Sequence, residues 1–263
     1  MFQTNIIARE TISSIVESYQ RGCKKIDQAY ELINSATNDF EAAFGEHYYD
    51  FKAYPNRDER NVDEIKLRIR KNAWRVIINR LEVHKFMSIK DIEDLQENLQ
   101  SKEIPEIELG IVMDIISGMI ENIPEYIKRL VTEVYEILMP GTRHTNYKTN
   151  IKNARRALGK KIILSYKVEM GFNNLFRIRY RCDDQIIAID KVFYALDGRG
   201  VTPGYRSPLA DAINSTPINN GYGETEYFKF RCCQNGNLHL EFKRMDLVKK
   251  LNQIAGASNQ IAD

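Results

Sequence analysis

The sequence predicts an α+β protein: long antiparallel helices in the amino-terminal part, then a small antiparallel β-sheet packed with helices. Three observations predict it. Apolar residues recur three and four apart through the early chain, the rhythm turns to strict alternation at Lys161, and the charge changes sign between the two stretches. Residues 1–140 carry 18 Lys/Arg against 25 Asp/Glu and form an acidic helical region. Residues 141–263 carry 20 against 11 and form a basic α+β region. Such a reversal marks two units, the second attracted to a polyanion.

The first stripe runs through Ile12, Ile15, Val16, Tyr19, Cys23, Ile26, Tyr30 and Ile33 to Phe40 and Phe44, and stops at Gly45. A stripe this long needs a partner helix, from this chain or a second copy. A second helix opens at NVDE, where Asn61 caps and Glu64 reaches back, and runs towards Leu81 with Trp74 and Ile77 inward. A third starts at Ser88. Two more span about 107–121 and 124–139, the latter with Pro124 in its first turn, before Pro140-Gly141 ends the helical half.

KIILSYKV then alternates, with Ile162, Leu164, Tyr166 and Val168 on one face. LFRIRYR sets Phe176, Ile178 and Tyr180 against Arg177, Arg179 and Arg181, and MGFNN between the two stretches supplies a turn. DDQIIAIDKVFYALDG is a helix capped at Asp183 and stopped at Gly198, and a short helix starts at Ser207. A polar loop covers Thr216 to Gly223. ETEYFKFRC and NLHLEF are strands, and MDLVKKLNQI closes the fold as a helix.

The last two strands have a register that can be derived. A two-residue turn at Asn235-Gly236 would set Phe228 and Phe230 beside Lys243 and Glu241, a mismatch along the whole hairpin. A three-residue loop, Gln234-Asn235-Gly236, with glycine in the left-handed position pairs Cys232 with Leu238, Phe230 with Leu240 and Phe228 with Phe242. The outer face then pairs Arg231 with His239 and Lys229 with Glu241, and places Tyr227 beside Lys243. His239 points away from the core.

Ile137 to Val168 contains no acid and eight cations: Arg143, Lys148, Lys152, Arg155, Arg156, Lys160, Lys161 and Lys167. With Asn150 as a neutral donor, and Arg177, Arg179, Arg181 and Arg231 on strands, this composition suits phosphate neutralisation. His239 with Lys148 is the candidate catalytic pair, the imidazole as acid or base and the cations on anionic oxygen.

Other chemistry has no pattern here. GTRHTNYKT lacks P-loop spacing, GRGVTPG follows a helix instead of a strand, and there is no G-x-S-x-G or H-E-x-x-H. Cys23, Cys182, Cys232 and Cys233 and the four histidines lack metal spacing, so reduced thiols and no cofactor are expected. Capping and solvent exposure account for Asp183, Asp184, Asp190 and Asp197 without a metal. No apolar run spans a membrane and no signal pattern opens the chain, which points to the cytoplasm.

YKTN at Tyr147–Asn150, GKKIIL, DKVFYALDG, and NGNLHLEF followed by DLVKKLN together resemble the bacterial family called domain of unknown function 4942. The resemblance is best over 141–254, and the helix from Thr11 is compatible with it. Matching positions are Lys148, Thr149, Asn150, Lys161, Asn235, Gly236, Asn237, His239 and Asn252. Members occur on phages, plasmids and integrated elements, some fused to adenine methyltransferase domains. This chain has no Pro-Pro and so no methyltransferase motif. The resemblance implies mobile-element biology near DNA in a bacterial host. Together with the basic segment it leads to the expectation of a nucleic-acid-associated accessory protein of a phage, plasmid or other mobile element, without catalysis of its own. Two alternatives stay open: a phosphodiester- or nucleotide-acting enzyme using His239, and a protein–protein module, such as a toxin partner or defence-system inhibitor, that pairs through the amino-terminal helix.

Overall fold

The first apolar stripe becomes helix α1 (Arg9–Phe44) and the second becomes α2 (Val62–Leu81). The structure, a computed structural model, describes residues 9–44, 62–139, 148–151, 157–171, 173–200, 202–203 and 206–259. The expected cap Asn61 and the stops at Gly45 and Pro140-Gly141 lie outside them. α1 and α2 run antiparallel, since Lys66 pairs with Asp27 at 2.5 Å and Arg70, further on, bonds Tyr19, further back. Among the stripe residues whose burial is described, Ile12 and Val16 at its start are the fully buried ones.

Two compact units emerge among the described residues. One holds α1, α2 and Asp94–Ile120. There the Trp74 indole N–H donates to the Pro105 carbonyl at 2.8 Å, and Arg70 donates to the Ile104 carbonyl and pairs with Glu106.

The other unit holds Glu82–Glu93 and the chain from Glu121 onward. Helix α3 (Ile89–Gln100) starts where Ser88 predicts it: Asp91 N–H donates to Ser88 Oγ at 3.0 Å and Ser88 N–H to the Asp91 carboxylate at 3.3 Å. Helix α4 is Leu109–Glu121, and α5 is Ile123–Leu138 with Pro124 in its first turn. Although α5 precedes residue 141, it buries Leu130, Val131, Val134 and Leu138 in the core beneath the sheet. It packs there against α7 (Asp183–Leu196) and α9 (Met245–Asn259). Two short helices complete the set, α6 (Lys148–Ile151) and α8 (Pro208–Asn214). Ser207 caps α8 by accepting from Ala210 N–H, and Gly198 ends α7 at φ +74°. The N-cap position of α7 is Cys182, which makes no side-chain capping bond, and Asp183 is already in the first turn.

The strands are β1 (Lys161–Leu164), β2 (Val168–Met170), β3 (Phe176–Ile178), β4 (Tyr222–Glu224), β5 (Phe228–Cys232) and β6 (Leu238–Phe242). A four-stranded antiparallel sheet has the order β1-β6-β5-β4, and β2 and β3 form a separate hairpin. The arrangement is α+β. Phe193 of α7 anchors the inner face, stacked on Phe242 with ring centres 5.5 Å apart and edge-on to Phe228 at 4.8 Å.

Three strand expectations need correction. KIILSYKV is not one strand, because Tyr166 takes φ +56° and the chain leaves the sheet there. The cause is distant in sequence: the Gly236 carbonyl accepts from both Lys167 N–H (2.9 Å) and Val168 N–H (3.1 Å). Tyr166 therefore faces solvent instead of joining Ile162 and Leu164. ETEYFKFRC is likewise split between β4 and β5, by a turn in which Thr225 N–H donates to the Phe228 carbonyl. Tyr227, expected outside beside Lys243, is buried and donates its hydroxyl to Asp197 at 2.9 Å.

Candidate nucleic-acid interface

The β5–β6 hairpin has the derived register: Phe228 faces Phe242, Lys229 faces Glu241, Phe230 faces Leu240, Arg231 faces His239 and Cys232 faces Leu238. Gly236 sits at φ +88°, the left-handed position the three-residue loop requires. Asn235 Oδ1 accepts from Asn237 N–H at 3.2 Å and closes the loop.

This register, continued across the sheet, builds two rows on the outer face. One row is Lys161, Glu241, Lys229, Glu224, an alternation of charge. Lys161 and Lys160 reach Glu241 at 2.9 and 3.1 Å, and their hydrogen bonds hold its carboxyl below the usual range. The other row is Ile163, His239, Arg231, Tyr222 and contains no acid. His239 is on the outer side as expected, but half-buried. That burial, then the Arg231 charge, pushes its pKa down from 6.5, so the imidazole is neutral at pH 7.

Arg231 lays its guanidinium over the Tyr222 ring, 4.9 Å from the centroid. Two more exposed tyrosines carry arginines the same way: Arg179 over Tyr166 at 5.6 Å and Arg181 over Tyr180 at 5.5 Å. Among the described residues neither Arg231 nor Arg181 has an acid within ion-pair distance, whereas Arg177 and Arg179 share Glu169. The expected single row of Arg177, Arg179 and Arg181 along a strand face is corrected. β3 ends at Ile178, Arg181 turns at φ +67°, and Tyr180, expected inward, is 81% exposed. The sequence alternation sets Tyr166 and Tyr180 on the apolar faces of their strands, and Tyr222 falls in the expected polar loop. The glycines on either side of Tyr222 were the available sign that a strand passes close to another there.

The basic segment joins this face only in part. Lys152, Arg155 and Arg156 lie outside the described residues, as does the side chain of Lys148, the proposed catalytic partner of His239. Lys161 is on the face and paired. Asn150, expected to donate to nucleic acid, is 4% exposed and does something else. Its amide donates to the Ile163 carbonyl at 2.9 Å and accepts from Ile163 N–H at 3.0 Å, completing the β1 edge as a neighbouring strand would. Asn252 of α9 makes the same two bonds to Leu158, at 2.8 and 3.0 Å. Asn150→Ala leaves the Ile163 N–H and carbonyl without those partners, and urea denaturation is expected to show a loss of about 2 kcal/mol.

Among the described residues, no group of three or more His, Cys, Asp or Glu is placed to hold a metal ion, and no helix is long and apolar enough to cross a membrane. An open cleft of about 500 Å³ on the α1–α2 unit is lined by Thr11, Ser14, Ile15, Ser18 and Arg80, and offers a single cation.

Fold and face together define an α+β protein with a small antiparallel sheet whose outer side carries arginine–tyrosine pairs. Residues 67–260 match the family described as Domain of unknown function (DUF4942), and the chain belongs to it. The match begins inside α2 and extends past the 141–254 stretch of best resemblance in both directions. No curated protein and no solved structure matches the chain.

Proposed function

We propose that the chain is a nucleic-acid-associated accessory protein without catalysis of its own, binding through the outer sheet face and the Tyr166–Arg181 turns beside it. One observation carries the reading: Arg231 and Arg181 are stacked on exposed tyrosines and have no acid partner among the described residues. A stacked guanidinium is oriented but keeps its edge N–H donors, the geometry that grips phosphate oxygens. The mobile-element and bacterial setting is supported by the family resemblance alone.

The test is a salt titration of oligonucleotide binding by fluorescence anisotropy. Arg231→Ala and Arg181→Ala are each expected to lower the slope of log K against log salt by about 0.7–0.9 with circular dichroism unchanged. Affinity that barely weakens between low and moderate salt would defeat the proposal.

A catalytic reading has one observation in its favour, His239 facing Arg231 across the β5–β6 pair on the outer side of the sheet. If His239→Ala leaves cleavage of a phosphodiester probe at the wild-type level, that reading is lost.

A further inference from the structure

We infer that the nucleic acid this face takes is single-stranded, with bases stacked on Tyr222, Tyr166 and Tyr180; the inference rests on the nucleic-acid reading above and narrows it. The three rings are 55%, 64% and 81% exposed. Each has one arginine across it, at 4.9, 5.6 and 5.5 Å. Scattered exposed aromatics are ordinary on a protein surface, but three with the same cationic partner in one compact unit form a repeated device. In a duplex the bases are already stacked on one another and show only their edges. A tyrosine face has a partner only where a base has left the stack, and each stacked base adds sequence-tolerant binding.

Contacts also link the segments that carry the rings. Tyr222 is in the row with Arg231 and His239. The tip of that hairpin, Gly236, lies against Tyr166: a Cβ built there would be 3.6 Å from both the Tyr166 Cα and its ring edge. The Tyr166 carbonyl then accepts from Cys182 Sγ at 3.8 Å, and Arg179 N–H donates to the Lys167 carbonyl, bringing up the Tyr180–Cys182 turn. The adjoining row alternates lysine with glutamate, which suits a lone strand better than the dense phosphate of a duplex. Glu169 already holds Arg179, so the Tyr222–Arg231 pair is the stronger anchor.

The test uses the full chain and three fluorescein-labelled probes of equal length at one salt concentration: oligo-dT, oligo-rU and a DNA duplex. Binding to at least one single strand is expected to exceed binding to the duplex about tenfold or more, and comparison of dT with rU identifies the preferred sugar. Tyr222→Ala is expected to weaken single-strand binding about tenfold, while Tyr222→Phe, which keeps the ring, holds near wild type. Melting temperatures confirm that both variants fold, and Tyr166→Ala gives a second reading in case Tyr222→Ala does not. A duplex bound as tightly as either single strand, with tyrosine-to-alanine variants unchanged, overturns this inference and leaves the nucleic-acid reading standing. Failure to bind any of the three probes overturns both.

Discussion

Gly221→Ala is expected to be among the most damaging single-methyl changes in the chain, destabilising it by about 3–5 kcal/mol in urea or thermal unfolding. Two penalties coincide. Gly221 sits at φ +68°, where any L side chain is strained. A Cβ there would also lie 2.6 Å from the Cys232 carbonyl oxygen, a backbone atom that cannot rotate away. The residue cannot shift easily either, since Cys232 N–H donates to its carbonyl at 2.7 Å and its own N–H donates to Pro217 at 2.8 Å. Gly198→Ala separates the two effects, because φ is +74° there and a Cβ meets nothing within 4 Å. It should show backbone strain alone, about 1–2 kcal/mol. Gly223→Ala supplies the opposite control. Its backbone is ordinary, but a Cβ would fall 2.2 Å from the Phe230 ring, so the ring must move. Equal losses for Gly221→Ala and Gly198→Ala would mean that the close approach of β4 to β5 is wrong, and the placement of Tyr222 between the two glycines with it.

That approach is also where sequence reading stops. Helices were legible because apolar spacing and caps are local: Ser88, Pro124, Ser207 and Gly198 each act within a turn of themselves. The β5–β6 register was legible because only one loop length buries every apolar residue of both strands. What escaped depends on partners far along the chain. The alternation of KIILSYKV continues through Tyr166, and only the Gly236 carbonyl, some seventy residues later, bends it. Asn150 and Asn252 stood out in the family motifs but carry no local mark of their task; Asn150 bonds a residue 13 positions away and Asn252 one 94 away. Gly236 and Asn235 shape a loop. Those motif positions thus maintain the sheet, while Tyr222, Arg231 and Arg181, groups available to a ligand, fall between the motifs, inside the matched stretch.

Asp190 predicts a second large effect, in the dependence of stability on pH. Capping and solvent exposure are the sequence expectation for it, yet it is fully buried in α7. Its Oδ2 accepts from Leu209 N–H at 2.7 Å at the start of α8, while Oδ1 has no hydrogen-bond partner among the described residues. Burial raises its pKa from 3.8 to about 6, against the pull of the Leu209 N–H and Ser207, with a small push from Asp211. The folded protein therefore holds this proton over a range where the unfolded chain has released it. Stability should fall from about pH 4 to about pH 6, by up to about 3 kcal/mol, and then level off. The carboxylates of Asp246, Glu224, Glu241 and Asp197, all lowered by their hydrogen-bonding and cationic partners, work the other way, and most of their contribution is in place by about pH 5. His239 also opposes the fall. Its folded pKa is below 6.5, so the unfolded chain binds its proton more readily and stability rises as pH climbs towards 6.5. Asp190→Asn keeps an oxygen for Leu209 N–H and removes the buried ionisation. Urea midpoints between pH 4.5 and 6.5 are expected to decline in the wild type and to rise gently in Asp190→Asn, where the imidazole and the last of the carboxylate titration remain. A decline of the same size in both proteins would show that Asp190 ionises as freely in the folded chain as in the unfolded one.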